Sequence, residues 1–159
     1  MTAGFYIELA ARCLLVVLFL PFSALDKIIE FRGAVAQASE IAPSRPMATA
    51  LILAGLAVEI FMSLGVVTGI ADRLAALVLS GYCIVTALLW KQFWVPGDFW
   101  RAGDSKGRDL FWDFLKNFSL AGGFLLLTFG TSSLSADAFL AHPFASSHPH
   151  QTLHREAQP

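Results

Sequence analysis

Charge is scarce in this sequence. Lys, Arg, Asp and Glu make up 14% of it, against about 25% in a soluble domain. That deficit argues against an ordinary water-soluble domain. With a formal net charge of −1 and no dense basic run, nothing points to nucleic-acid binding. Cysteine is scarce too: Cys13 and Cys83 both sit inside apolar runs, outside any C-x-x-C pair. This fits neither a disulfide framework nor a thiolate metal site. Histidine does not occur before His142, so intramembrane bis-histidyl haem ligation by this chain alone is excluded. Also missing are a P-loop, a Gly-rich dinucleotide turn, a G-x-S-x-G elbow and an H-E-x-x-H helix. No room remains for a soluble catalytic domain.

What fills the sequence is apolar. Hydrophobic residues reach 56%, above the roughly 45–50% of soluble proteins. A bilayer core about 30 Å thick needs about 20 such residues in a helix. Runs over 5–25, 47–69, 73–93 and 114–131 meet or approach that length, and the last one invites extension through "SSLSADAFL". The expected fold class is all-α: an integral-membrane four-helix bundle over 1–135, followed by a polar, flexible tail over 136–159. The first run is not read as a cleaved signal peptide, because no basic residue precedes Arg12, Glu8 lies in the would-be charged region, and bulky Phe22 occupies the −3 position.

Orientation follows from Lys and Arg. Lys27, Arg32 and Arg45 follow span one; Lys91, Arg101, Lys106, Arg108 and Lys116 follow span three. The opposite side has Arg73 and Arg155. Eight against two puts loops one and three in the cytoplasm and both termini in the periplasm. All four tryptophans (Trp90, Trp94, Trp100 and Trp112) lie between spans three and four. With the neighbouring phenylalanines they read as a membrane-hugging belt whose "GDSKGRD" centre faces water.

Ionisable groups inside spans are rare enough to be candidate functional residues. Glu8 and Arg12 share a face of span one, and Glu59 interrupts span two. With about 1.5 Å of rise per residue, Arg12 lies roughly 10 Å and Glu59 roughly 15 Å below the outer edge. Arg12 is therefore expected to join a buried network with Glu59, Glu8 or both. The network is either glue for the bundle or a polar lining for a ligand head group or proton path. Asp26, Lys27, Asp113, Lys116 and Asn117 fall at the cytoplasmic ends of spans one and four. The lysines are expected to snorkel to water, and the Asn117 amide to face a partner helix. Gly65, Gly69, Gly122 and Gly123 mark close helix contacts, and Pro21 predicts a kink near Phe22–Ser23. In the tail, His148 and His150 form an H-x-H pair, a weak metal candidate beside flexible, Pro-broken chain.

"RCLLVVLFLPFSALDKIIEF", "GLAVEIFMSLGVVTGIADRLAALVLSGY" and "FLKNFSLAGGFLLL" together resemble the DoxX family, and the likeness runs to about Gly130. That resemblance implies a small four-helix protein of the bacterial inner membrane. Some relatives are subunits of oxidoreductases that pass electrons to quinone; others accompany oxidative-stress or thiol-redox complexes. The expectation is an accessory subunit, not catalytic alone, in contact with lipid, a redox partner subunit and copies of itself. No covalent cofactor is expected, and quinone is the candidate ligand. Alternatives are a proton-coupled transporter or a purely structural assembly subunit.

Overall fold

A computed structural model describes residues 3–130 and 133–147, with side chains in the second stretch from 136 onward. Four helices are long and apolar enough to cross a membrane: α1 (Ala3–Ile29), α3 (Arg45–Thr68), α4 (Asp72–Trp90) and α5 (Lys106–Phe129). Among the described residues there are also two short helices, α2 (Phe31–Ala38) in the first connection and α6 (Ser133–Ala141) after the last span. No strand occurs among the described residues. Large apolar side chains lie open on the outer faces, among them Leu14 at 71%, Phe61 at 64% and Ile70 at 73% exposure. In water such a surface would aggregate; hydrocarbon is its matching solvent. The protein is an all-α membrane bundle.

The helix limits have local causes. Ser44 accepts the Met47 N–H at the start of α3, where Pro46 has no N–H to lose. Gly69 ends α3 at φ 79°, a left-handed conformation that favours glycine, so it serves the turn. The fourth span begins earlier than the expected residue 114, because Ser105 accepts the Arg108 N–H and Asp98 accepts those of Lys106 and Gly107. It stops at Phe129 with Gly130 as its cap, and Thr131 lies outside the described residues.

Two spans are irregular where they meet. Helical geometry in α1 fails at Leu20 (φ −122°, ψ 113°), and a wide π-type turn covers Leu18–Ser23. The cause is Pro21, which disfavours helical geometry in the residue before it. The break thus lies slightly earlier than Phe22–Ser23. In α3 a second π-type turn spans Val58–Met62 and carries Glu59. The two turns pack against each other, and such turns occur often at functional sites.

The core is built from Val16, Phe19, Val66, Leu79 and Phe124, with Ala75, Ala76 and Ala121 letting backbones approach. Gly65 does the packing work proposed for it: a Cβ there would lie 3.1 Å from the Ala75 Cβ. Gly123 likewise faces Leu15, whereas Gly122 opens onto free space. Interhelical hydrogen bonds add direction. The Ser80 hydroxyl donates to the Ala121 carbonyl at 3.1 Å, and the Arg73 Nε–H donates to the Thr128 carbonyl at 2.7 Å. In hydrocarbon such bonds between helices contribute about 1 kcal/mol each.

Candidate functional site

The span-buried charges form two separate clusters. Near the outer end, the Arg12 guanidinium donates to the Asp72 carboxylate and to the Val66 carbonyl, each at 2.8 Å, and to Glu8 at 3.2 Å. It also donates to the Ser147 hydroxyl at 2.8 Å, while the Ser147 N–H donates to Asp72 Oδ1 at 3.0 Å. Ser147 thus brings the start of the tail back against the outer end of the bundle. Arg12 and Asp72 are buried, and every bond here joins chain to chain. This cluster clamps α1, the α3–α4 turn and the tail together.

The second cluster belongs to Glu59, which is 1% exposed. Its Oε1 accepts three hydrogen bonds: from Lys27 Nζ at 2.6 Å, the Tyr82 hydroxyl at 2.8 Å and the Ser23 hydroxyl at 3.0 Å. Lys27 Nζ also donates to the Ser23 hydroxyl at 2.6 Å. Of the expected partners, Arg12 thus takes Glu8 but not Glu59; the cation at Glu59 is Lys27. Nor does Lys27 snorkel outward. The reason is the direction of Cα–Cβ bonds, which lean toward a helix's N-terminus. Arg12 leans toward the start of α1, where Asp72 waits. Glu59, on antiparallel α3, leans the other way, and Lys27 leans back to meet it. The Val66 carbonyl that holds Arg12 is seven residues from Glu59, about 10 Å along the helix.

Glu59, Lys27, Ser23 and Tyr82 line a cavity of about 660 Å³, open between the ends of α1, α2, α4 and α5. Leu18, Phe19, Leu51 and Ile52 supply apolar wall. Asp26, Glu30, Lys91, Asp113 and Lys116 make a charged mouth, with Asp113 paired to Lys91 at 3.0 Å and to Lys116 at 3.1 Å. Gly55 leaves space for the Tyr82 phenol, since a Cβ there would lie 3.2 Å from its oxygen. Two cavity residues carry buried polar atoms without a partner among the described residues: Glu59 Oε2 and Trp90 Nε1. Native proteins leave few such atoms unsatisfied, so each calls for a partner that the described residues do not supply. The Ser63 hydroxyl, one turn beyond Glu59, is also buried without a partner.

Asn117 lines this cavity. Arg12 and Glu8 do not; they belong to the outer clamp. His148 and His150 lie outside the described residues, and among those described no three His, Cys, Asp or Glu groups cluster to hold a metal. Asp72, Tyr82 and Ser23 were missed as site residues. Asp72 had a signal, a carboxylate opening span three at the level of Arg12. Tyr82 had one too, a phenol in mid-span that needs a partner when buried. The belt divides: Trp100 stands 92% exposed, but Trp90 turns into the cavity. Phe93 packs edge-on against Trp94, Phe111 and Phe114. Nor is the loop centre wholly water-facing, since Ser105 and Gly107 are buried.

A family model described as DoxX matches residues 7–92, more than half of the chain. The chain belongs to the DoxX family. It is also similar to the inner membrane protein YphA of Escherichia coli (strain K12), 30% identical over 130 residues that cover 81% of this chain and 86% of that protein. No solved structure matches it. Family, relative and the four apolar helices together make it a multi-pass inner-membrane protein. The DoxX match contains Arg12, Ser23, Lys27, Glu59, Asp72, Tyr82 and Trp90, hence most of both clusters; Asp113, Asn117 and Ser147 lie beyond it.

Proposed function

We propose that this DoxX protein is an accessory subunit of a membrane redox complex, and that its cavity receives the head group of a membrane-soluble quinone. The observation that carries the reading is Glu59: a buried, ion-paired carboxylate with one free oxygen, at the inner end of a cavity with apolar walls. Binding sites of this kind combine mostly apolar lining with a few placed polar groups. Lys27 has a third N–H beyond those given to Glu59 and Ser23, and Trp90 has its indole N–H; both suit a carbonyl oxygen. Glu59 suits a proton-accepting role at the same head group. The chain is read as a subunit because quinone chemistry needs an electron partner. Mouth and basic loops are assigned to the cytoplasm, and both termini to the periplasm, by the eight-to-two bias of Lys and Arg.

The apolar core disfavours a transporter. A through-path would have to cross the packed apolar core that includes Val66, Leu79 and Phe124. The test is purification from native membranes in mild detergent, followed by identification of bound proteins and lipids. Wild type is expected to bring quinone and a redox subunit. Ala34→Trp, which fills the cavity from α2, is expected to lose the quinone and keep the partner. Recovery of neither from wild type sinks the reading.

A further inference from the structure

We infer that the cavity selects the reduced, hydroxyl-bearing form of its ligand over the oxidised carbonyl form. This rests on the quinone reading above and adds a direction to it. The observation is the one-sidedness of Glu59. The donors that surround it, Lys27, Tyr82 and Ser23, all converge on Oε1. Its other oxygen, Oε2, is buried and accepts nothing from the described residues. A carboxylate oxygen can only accept, so whatever meets Oε2 must bring an O–H or N–H. A carbonyl head group would set oxygen against oxygen, which is repulsive and leaves both undersolvated.

Trp90 supplies the complement. Its indole N–H is a donor with no acceptor among the described residues, in a residue that lines the same cavity two helical turns from Tyr82. An oxygen of either redox form satisfies it. The pair therefore sorts ligands: Trp90 serves both forms, and Glu59 admits the one with a hydroxyl. Charge bears on ionised ligands and does not separate the two neutral forms. Four carboxylates (Asp26, Glu30, Glu59 and Asp113) and three lysines (Lys27, Lys91 and Lys116) line the cavity. That balance of one negative charge favours a neutral donor over an anion.

The test is binding, measured calorimetrically on the full-length protein in dodecyl maltoside, with three probes: decylubiquinol under anaerobic conditions, decylubiquinone, and the dimethyl ether of the quinol. The quinol is expected to bind about tenfold or more tightly than the other two, the share of one well-placed buried hydrogen bond. Glu59→Gln keeps an acceptor oxygen for Lys27 and Tyr82 and turns an N–H toward the ligand, so it is expected to reverse the preference. Trp90→Phe is expected to weaken quinol and quinone by the same factor and leave their ratio unchanged. Equal binding of the three probes to wild type overturns the inference and leaves the quinone site standing. Binding of none overturns both. Because the probe series uses unmodified protein, a variant that fails to fold does not spoil the test.

Discussion

Arg12 and Lys27 are the cations of two buried ion pairs on the same helix, yet they do different things. Arg12 gives its N–H groups to Asp72, Glu8, Ser147 and a backbone carbonyl, and is used up holding chain to chain. Lys27 holds a carboxylate that still has an oxygen to offer. Removing one partner of a buried pair costs about 3–5 kcal/mol, because the other charge is left uncompensated. Lys27→Met is expected to destabilise the protein by about that much, read as a fall in the melting temperature in detergent. Adding Glu59→Gln should recover most of the loss, since a neutral amide no longer needs the cation. A Lys27→Met protein as stable as wild type would remove the ion pair from the account. At this scale Glu59 and Arg12 were legible, because a charge inside an apolar run stands out. Their partners were not, because pairing depends on which way each side chain leans.

Among the elements, the connection from α4 to α5 is more structured than a surface loop. The Asp98 carboxylate accepts the backbone N–H of Gly107 at 2.8 Å and of Lys106 at 2.9 Å, and these bonds, Gly107 first, hold its pKa below the ordinary aspartate value. A depressed pKa stabilises the loop above about pH 4, and that contribution disappears as pH falls through the folded-state value. Amide-exchange protection at Lys106 and Gly107 should therefore hold from neutral pH down to about pH 5 and drop below about pH 4. Asp98→Ala should abolish this acid-dependent loss by lowering protection throughout. The α3–α4 contact gives a second prediction. Gly65→Leu must push Ala75 away and is expected to cost about 1–3 kcal/mol, whereas Gly122→Leu, with nothing within 4 Å, should leave the melting temperature nearly unchanged. Glycine spacing had marked both positions equally; only the neighbours separate them.

Taken whole, the molecule is a bundle closed at one end by the Arg12 clamp and open at the other through the cavity. The first turns of α1, the α3–α4 turn and Ser147 share the clamped end, so the first and last described residues lie at the same end of the bundle. If the basic loops are cytoplasmic, alkaline phosphatase fused to the C-terminus will be active and green fluorescent protein fused there will stay dark. A fluorescent fusion reverses the orientation and puts the cavity mouth in the periplasm.

By itself the sequence determined the solvent, the number of spans and the rarity of Glu59. These follow from local composition: a run of about 20 apolar residues has one stable place whatever its neighbours do. Tertiary structure alone decided that Arg12 and Glu59 belong to different clusters, that Tyr82 and Ser23 join the second, and that Trp90 leaves the aromatic belt for the cavity. Those outcomes depend on the break before Pro21, the lean of each side chain and the order of helices around the bundle, which bring together residues as distant as Lys27 and Glu59 or Asp72 and Ser147.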